Sequence, residues 1–193
     1  LLLQKLASAS LSGFAFGFQP ASCCALIGVT PERLYRREGQ KIESEAVAGT
    51  VRRGQDEAED KQLRQELLTN DKERREHQFV VDHICDALAA SGCKLRIPNQ
   101  PEVSKLRNLQ HLTTSIDGDF EREISDADII RRLHPTPAVA GSPTEPALRR
   151  LRSLEPFDRG WYAGPVGWIG NEAAEFAVAI RSALIRDSVI DVY

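Results

Sequence analysis

The sequence lacks methionine altogether and has no apolar run of the roughly 20 residues that a membrane-spanning helix requires. We therefore expect no membrane partner. The chain carries 28 acidic and 25 basic residues, for a net charge of −3, and the two signs are interspersed along the sequence. A protein that binds nucleic acid usually has a clustered basic surface, so no nucleic-acid partner is predicted.

Cysteines are few, and their spacing does not match the common zinc motifs. Cys23 and Cys24 are adjacent, whereas Cys85 and Cys93 stand alone, so no paired Cys-x-x-Cys set exists. The pattern predicts reduced, buried thiols. Such thiols fit the cytoplasm of a bacterium, or the plastid stroma if the source is a plant or an alga.

The composition that remains is that of a globular protein, 41% hydrophobic and 27% charged over 193 residues. The ends look cut, because the chain opens on helix-like residues 1–6 and closes on strand-like residues 189–193. No signal or transit peptide is recognisable. We expect residues 1–193 to be part of one domain that is truncated at both ends.

Hydrophobic periodicity and turn residues predict an α+β chain. Strands are predicted at 14–18, 24–29, 33–37 and 41–48, then short strands and turns over 95–120, then strands at 161–169, 175–185 and after 188. Helices are predicted at 56–68, from 71 to about 90, at 126–133 and at 143–154. Asp56 with Glu59, and Asn70 with Glu73, have the spacing of helix-capping pairs.

Glu76 is the first candidate for chemistry. It lies one helical step of four before Val80, Ile84 and Leu88, which define an apolar stripe. A carboxylate on such a stripe is costly to bury unless it is paired or binds a metal. The alternatives are an ion pair with a buried arginine, or a position beyond the edge of the core. Zinc is not expected, because the nearby histidines do not form an HExxH motif.

Two further candidates lie at strand ends. Glu32 follows Pro31 at a bend between predicted strands, where functional groups are common, although a solvated turn carboxylate is the alternative. Gly49 and Thr50 end a predicted strand in small residues, so their backbone N–H groups and the Thr50 hydroxyl could receive an anion. An ordinary strand end is equally compatible with the pattern.

Arg181 interrupts the apolar stretch 176–180, and an arginine there needs an acceptor. That acceptor is either a ligand carboxylate or a carboxylate of the protein. Residues 134–141 contain two prolines one residue apart, followed by small residues, which favours a rigid extended wall of a pocket. The alternative is a proline-stiffened loop before a helix.

Seven segments, in this order, resemble the chorismate-utilising enzyme family. They are residues 28–34, 43–50, 67–77, 110–112, 134–141, 159–167 and 175–183. The residues before Gly49, those after His77 and the opening of 134–141 are similar to isochorismate synthases of the menaquinone or phylloquinone branch, more than to the siderophore branch. Salicylate synthases are the nearest competing subfamily.

The resemblance implies two stacked antiparallel sheets with outer helices and a site between the sheets. It also implies conversion of chorismate to isochorismate. In that reaction Mg²⁺ holds the ring carboxylate, a lysine base activates water for attack at C2, and a glutamic acid protonates the departing C4 hydroxyl. By position, Glu32 matches the acid and Glu76 matches a Mg²⁺ ligand.

The same resemblance implies the residues that contact the substrate. Gly49 and Thr50 would line the site and His111 would face the ring. The remaining implied contacts are Ala138 and Val139 as a wall, Tyr162 and Arg181 on the enolpyruvyl carboxylate, and Gly164.

The family's lysine base and its second Mg²⁺ glutamate fall outside these 193 residues. We therefore expect the chain alone to be inactive. Three alternatives stay open: a salicylate synthase or another chorismate-utilising enzyme, an inactive truncated paralogue, and a portion of a multifunctional fusion. A monomer is expected.

Overall fold

The computed structural model describes residues 2–9 and 13–193. Its helices are α1 (Leu2–Ala9), α2 (Glu57–Thr69), α3 (Asp71–Ala89), α4 (Asp126–Leu133) and α5 (Thr144–Leu154). Its strands are β1 (Phe14–Ala21), β2 (Cys24–Thr30), β3 (Arg33–Glu38), β4 (Lys41–Arg52), β5 (Cys93–Arg96), β6 (Glu102–Lys105), β7 (Leu109–Phe120), β8 (Pro165–Ile169), β9 (Ala173–Val178), β10 (Ser182–Arg186) and β11 (Val189–Val192). No helix in this part of the chain is long and apolar enough to cross a membrane.

The strands form two antiparallel sheets, which confirms the predicted α+β class. One sheet has four strands in the order β1-β2-β10-β11. The other has seven, in the order β5-β7-β4-β3-β9-β8, with β6 also pairing with β7.

The short strands and turns predicted over 95–120 are present in its first part, in the end of β5 and in β6, but its second part is one strand, β7, of 12 residues. Its Asp117-Gly118 sequence resembles a turn but lies inside the strand. A Cβ on Gly118 would lie 2.4 Å from Cys93 Sγ, so the glycine is needed where β5 approaches β7. Tertiary packing, rather than a turn, explains this glycine.

Helix α3 covers the larger sheet and forms the main core with it. Val80, Ile84 and Leu88 face Ile42 and Ile116, and all five side chains are almost completely buried. The predicted cap at Asn70 is confirmed, since its Oδ1 accepts from the amides of Lys72 and Glu73. Asp56 caps α2 in the same way by accepting from the Glu59 amide.

The chain passes between the two sheets at two neighbouring places. Strands β2 and β3 belong to different sheets and are joined by residues 31–32, whereas β9 and β10 are joined by residues 179–181. Hydrogen bonds tie the crossings together, because the Val178 amide donates to the Glu32 carbonyl at 3.0 Å and the Val29 amide to the Arg181 carbonyl at 3.3 Å. Both Glu32 and Arg181 are therefore placed where the sheets meet.

Two predicted strands are shorter than expected. Residues 161–164 form a turn, so the strand predicted at 161–169 begins only at Pro165. The strand predicted at 175–185 is broken at residues 179–181, because its two halves pair in different sheets.

The prediction of buried thiols holds only in part. Cys93 is buried, Cys24 and Cys85 are half-buried, and Cys23 is exposed in the β1–β2 turn. All four are free of disulfides. The apolar neighbours of Cys23 indicated burial, but at a hairpin turn the side chain points out of the sheet.

Candidate functional site

A cavity of about 730 Å³ lies at the place where the chain crosses between the sheets. It brings together nine of the ten residues predicted for the site: Glu32, Gly49, Thr50, Glu76, His111, Ala138, Val139, Tyr162 and Arg181. The tenth, Gly164, lines a neighbouring cavity of about 620 Å³. Its carbonyl accepts from the Ala179 amide, so the glycine backbone extends the pairing of β8 with β9 by one residue.

Glu32 is buried, with 6% of its surface exposed, at the first crossing. Burial raises the pKa of its carboxyl from 4.5 to about 7, the hydroxyl of Thr136 opposes that rise, and the charge of Glu45 adds to it. Thr136 donates to Oε1 at 3.5 Å. A carboxyl with a pKa near neutrality is suited to donate a proton at neutral pH.

Gly49 and Thr50 form an irregular point in β4. The pairing of β4 with β7 shifts register between Ala48 and Thr50, and Gly49 has a φ of +79°. A Cβ on Gly49 would lie 3.1 Å from Leu112 Cδ1 and 3.4 Å from Glu73 Oε2, so the position favours glycine. The Thr50 amide, freed by the bulge, donates to Glu73 Oε2 at 3.2 Å.

His111, in β7, and Arg181, in the break between β9 and β10, form a polar pair in the cavity. Nε2 of His111 accepts from the Arg181 guanidinium at 3.5 Å, and Nδ1 lies 2.8 Å from the Thr50 hydroxyl. Burial, followed by the charge of Arg181, lowers the pKa of His111. The ring is therefore neutral at pH 7, and acceptance at Nε2 leaves the proton on Nδ1, which donates to Thr50.

The apolar neighbours of Arg181 predict that it lies within a regular strand, but in the structure it does not. It lies in the break between β9 and β10 with a φ of +51°, a left-handed conformation that is rare for a residue with a side chain. That backbone turns its guanidinium into the cavity. Within the described residues, no carboxylate forms an ion pair with it, which favours the ligand alternative over the protein one.

Glu76 lines the cavity but does not lie on the buried stripe of α3. Its side chain is 51% exposed and forms an ion pair with Lys72 at 3.1 Å. The buried position next to Val80 belongs to His77, whose Nε2 lies 2.7 Å from the Thr114 hydroxyl. The alternative of a carboxylate beyond the edge of the core is therefore the correct one.

The carboxylates near Glu76 are suited to a hard cation. Lys72 contacts Glu73 as well as Glu76, so two carboxylates share one ammonium at the mouth of the cavity. No cluster of three or more ligating side chains occurs in residues 2–9 and 13–193. Mg²⁺ commonly binds through one or two carboxylates and retains waters, so this donor set fits that ion without a full protein cage.

The segment 134–141 is confirmed as one wall of the cavity, but the predicted extended conformation is wrong. It is a turn held by amides of Ala140 and Gly141, which donate to the carbonyls of Thr136 and Pro137. The helix after it begins at Thr144 rather than at Pro143, which occupies the N-cap position and makes no side-chain capping hydrogen bond.

Three residues of the site are not indicated individually by the sequence: Glu73, Thr136 and Arg159. The spacing of Glu73 from Asn70 indicates only a capping pair. A threonine between two prolines was visible in the sequence, but its contact with Glu32 spans 104 positions. No local pattern could have indicated such a contact.

Comparison with known proteins shows which family has a similar sequence. The model of a family described as "Chorismate binding enzyme" matches residues 1–193. Isochorismate synthase MenF of Bacillus subtilis is 44% identical over 163 residues, which are 84% of this chain and 35% of the relative. Isochorismate synthase 2, chloroplastic, of Arabidopsis thaliana is 38% identical over 95% of this chain and 33% of its own length.

A solved structure agrees with the sequence comparison. The menaquinone-specific isochorismate synthase MenF of Escherichia coli superimposes with a TM-score of 0.91 at 34% identity, covering 99% of this chain and 44% of that one. The chain thus spans less than half the length of each of these relatives.

Proposed function

This chain belongs to the family of chorismate-binding enzymes, and on that premise we propose that it forms the central part of an isochorismate synthase, which converts chorismate to isochorismate. The names of the relatives support the proposal, since the two similar sequences and the similar structure reported above are isochorismate synthases. The observation that most supports this function is the burial of Glu32 in the cavity. Its pKa of about 7 allows the carboxyl to donate a proton at neutral pH.

The reaction requires a proton for the C4 hydroxyl as that group leaves. Glu32 is the donor in this proposal, because it is buried, faces the cavity and remains partly protonated at neutral pH. Burial excludes water from the carboxyl, so the proton is delivered to the substrate rather than exchanged freely with solvent.

The substrate's charged groups are assigned to the two polar sides of the cavity. Arg181 and Tyr162 hold the enolpyruvyl carboxylate, because a guanidinium binds a carboxylate with two parallel hydrogen bonds. His111, kept neutral, faces the ring, and Ala138 and Val139 provide its apolar wall. These roles agree with the positions of the five residues around one cavity.

The ring carboxylate is assigned to the mouth of the cavity, beside Glu76 and Glu73. Those two residues would hold Mg²⁺, which when bound supplies positive charge opposite the ring carboxylate. Lys72 now contacts both carboxylates, and its ammonium would have to give way for the ion to bind.

The base that activates water is not provided by the described residues, since no lysine among them lines the cavity. The relatives are more than twice as long as the segment they share with this chain. We therefore place the base, and a further Mg²⁺ ligand, in sequence that the relatives have beyond this segment, and we expect the 193 residues alone to be inactive.

The test is to incubate the full product of the gene with chorismate and Mg²⁺ and to identify the product chromatographically. Isochorismate from the wild type, and none from Glu32→Gln, supports the proposal. Salicylate with pyruvate identifies a salicylate synthase instead. No conversion by the full gene product supports an inactive paralogue and overturns the proposal.

The remaining expectations concern compartment and assembly. Bacterial and chloroplastic relatives support a bacterial cytoplasm or a plastid stroma. We also propose that the full gene product is a monomer, which light scattering at several protein concentrations tests directly.

A further inference from the structure

Arg159 lies in the cavity wall where two separate loops meet. It follows α5 and begins the turn that carries Tyr162, whose amide donates to the Arg159 carbonyl at 2.8 Å. The other loop is the wall segment 134–141. None of the roles assigned above to the site includes this arginine.

The guanidinium of Arg159 contacts three neighbours at once. Nη1 donates to the Val139 carbonyl at 2.7 Å, whereas Nε and Nη2 donate to the Glu155 carboxylate at 2.8 and 2.5 Å. Its Cζ also lies 5.8 Å from the centre of the Tyr162 ring. A planar group with five donors can make these contacts simultaneously, whereas the single ammonium of lysine cannot.

The environment makes these contacts stronger than those of a surface ion pair. The side chains of Arg159 and Glu155 are 26% and 21% exposed, so solvent screens them less. Glu155 fixes the plane of the guanidinium, and the guanidinium then fixes the Val139 carbonyl relative to the Tyr162 ring. Both of those residues face the substrate in the proposed function.

We propose that Arg159 is a positioning residue that sets the separation of Val139 and Tyr162 across the cavity and thereby determines the affinity for the substrate. It acts on binding and not on proton transfer, because its guanidinium contacts Val139, Glu155 and Tyr162 rather than Glu32. The inference rests on the proposed function, since it takes chorismate as the occupant of the cavity.

The chain contains a matched control for this role. Arg149 and Glu145 form an ion pair with the same i,i+4 spacing as Arg159 and Glu155, but on the exposed face of α5. Their side chains are 68% and 81% exposed, and Arg149 does not line the cavity. Replacing Arg149 by Lys makes the same substitution in a comparable but exposed pair, without touching the wall.

The experiment measures steady-state kinetics with chorismate and Mg²⁺ for the full gene product carrying Arg159→Lys, Glu155→Gln or Arg149→Lys. We expect R159K to raise KM roughly tenfold or more, the scale of one charge-assisted hydrogen bond. The kcat and the pH at which the rate falls should stay near those of the wild type. E155Q should raise KM in the same direction, and R149K should leave it unchanged.

If the wild type is active and R159K has an unchanged KM, the positioning role of Arg159 is contradicted, while the proposed function is not. A variant that loses kcat at constant KM, or one whose pH profile shifts, also contradicts that role. If R159K does not fold, E155Q is the deciding variant, because glutamine has the same shape as glutamate. An unchanged KM in E155Q then overturns the inference. A wild type and an R149K that are equally inactive contradict the proposed function, and this inference falls with it.

Discussion

The hydroxyl of Thr136 donates to Oε1 of Glu32 at 3.5 Å, so the proline-rich wall of the cavity touches the proposed acid directly. The wall segment is therefore more than a surface for the substrate ring. It also adjusts the proton affinity of Glu32, because a hydroxyl donor stabilises the ionised carboxylate and opposes the effect of burial.

Replacing Thr136 by Val should move the pH dependence of the reaction. The proton donor must be protonated, so the rate is high below the pKa of Glu32, about 7, and falls above it. Without the hydroxyl that pKa rises further, and the falling limb of the rate profile moves to higher pH. The measurement is kcat/KM against pH. Thr113→Val, the same change at a buried threonine in β7, should leave the limb in place. An unmoved limb in T136V would contradict the contact's role.

Glu32→Gln should abolish activity and stabilise the fold at neutral pH. The pKa of Glu32 is raised from 4.5 to about 7, so the unfolded chain ionises first as pH increases, and wild-type stability declines between those two values. The amide cannot ionise and avoids this loss. The free energy of unfolding of E32Q should therefore exceed that of the wild type by up to about 3 kcal/mol above the folded pKa.

Urea unfolding at the acidic and at the slightly alkaline end of this range measures the difference. The gap should be small near pH 4.5 and largest above pH 7, the ordinary and the raised pKa of Glu32. Glu57→Gln, at a side chain that is 83% exposed, is the control and should show no such trend. A constant gap across the range would mean that burial does not raise the pKa of Glu32.

Gly49→Ala should weaken substrate binding more than the same substitution at a glycine elsewhere that has a similar positive φ. Gly49 and Gly92 have φ values of +79° and +78°, so alanine is strained equally at both. Only at Gly49 does the new methyl meet neighbours, Leu112 and Glu73, since nothing lies within 4 Å at Gly92. Both variants should lose about 1 kcal/mol of stability from the backbone. G49A alone should also raise KM for chorismate, and equal KM values for the two variants would contradict a binding role for the bulge.

The two carboxylates at the cavity mouth should control the requirement for Mg²⁺. Glu76→Gln should raise the Mg²⁺ concentration for half-maximal activity by roughly 10-fold or more. Glu73→Gln should raise it by less, because one oxygen of Glu73 already accepts a hydrogen bond from the Thr50 amide. Glu66→Gln on the exposed face of α2 is the control. An unchanged Mg²⁺ response in E76Q would show that Glu76 does not hold the ion.

The phase of helix α3 was predictable from the sequence, but the exact position of its polar edge was not. Val80, Ile84 and Leu88 form the buried stripe as expected. Counting four residues back from Val80 gives Glu76, yet His77 is the buried residue. An α-helix has 3.6 residues per turn, so over several turns the buried stripe shifts from positions spaced by four to the neighbouring position. The same drift places Glu76 at the cavity rather than in the core.

The break in the strand at Arg181 could not be predicted from the local sequence pattern. The pattern over 175–185 predicts one strand, but the two halves of this stretch pair with β3 and with β2, which lie in different sheets. Which partner a strand takes depends on contacts far away in the sequence, and the left-handed backbone of Arg181 is a consequence of that choice. The resemblance of motifs identified the residue, and the topology explains why it faces the cavity.

The most direct test of the account follows the oxygen atom that the reaction adds. The full gene product is incubated with chorismate and Mg²⁺ in water labelled with ¹⁸O, and the product is examined by mass spectrometry and NMR. We expect isochorismate with one labelled oxygen at C2 from the wild type, and no product from Glu32→Gln. Unlabelled product, salicylate, or an E32Q variant as active as the wild type would contradict this expectation.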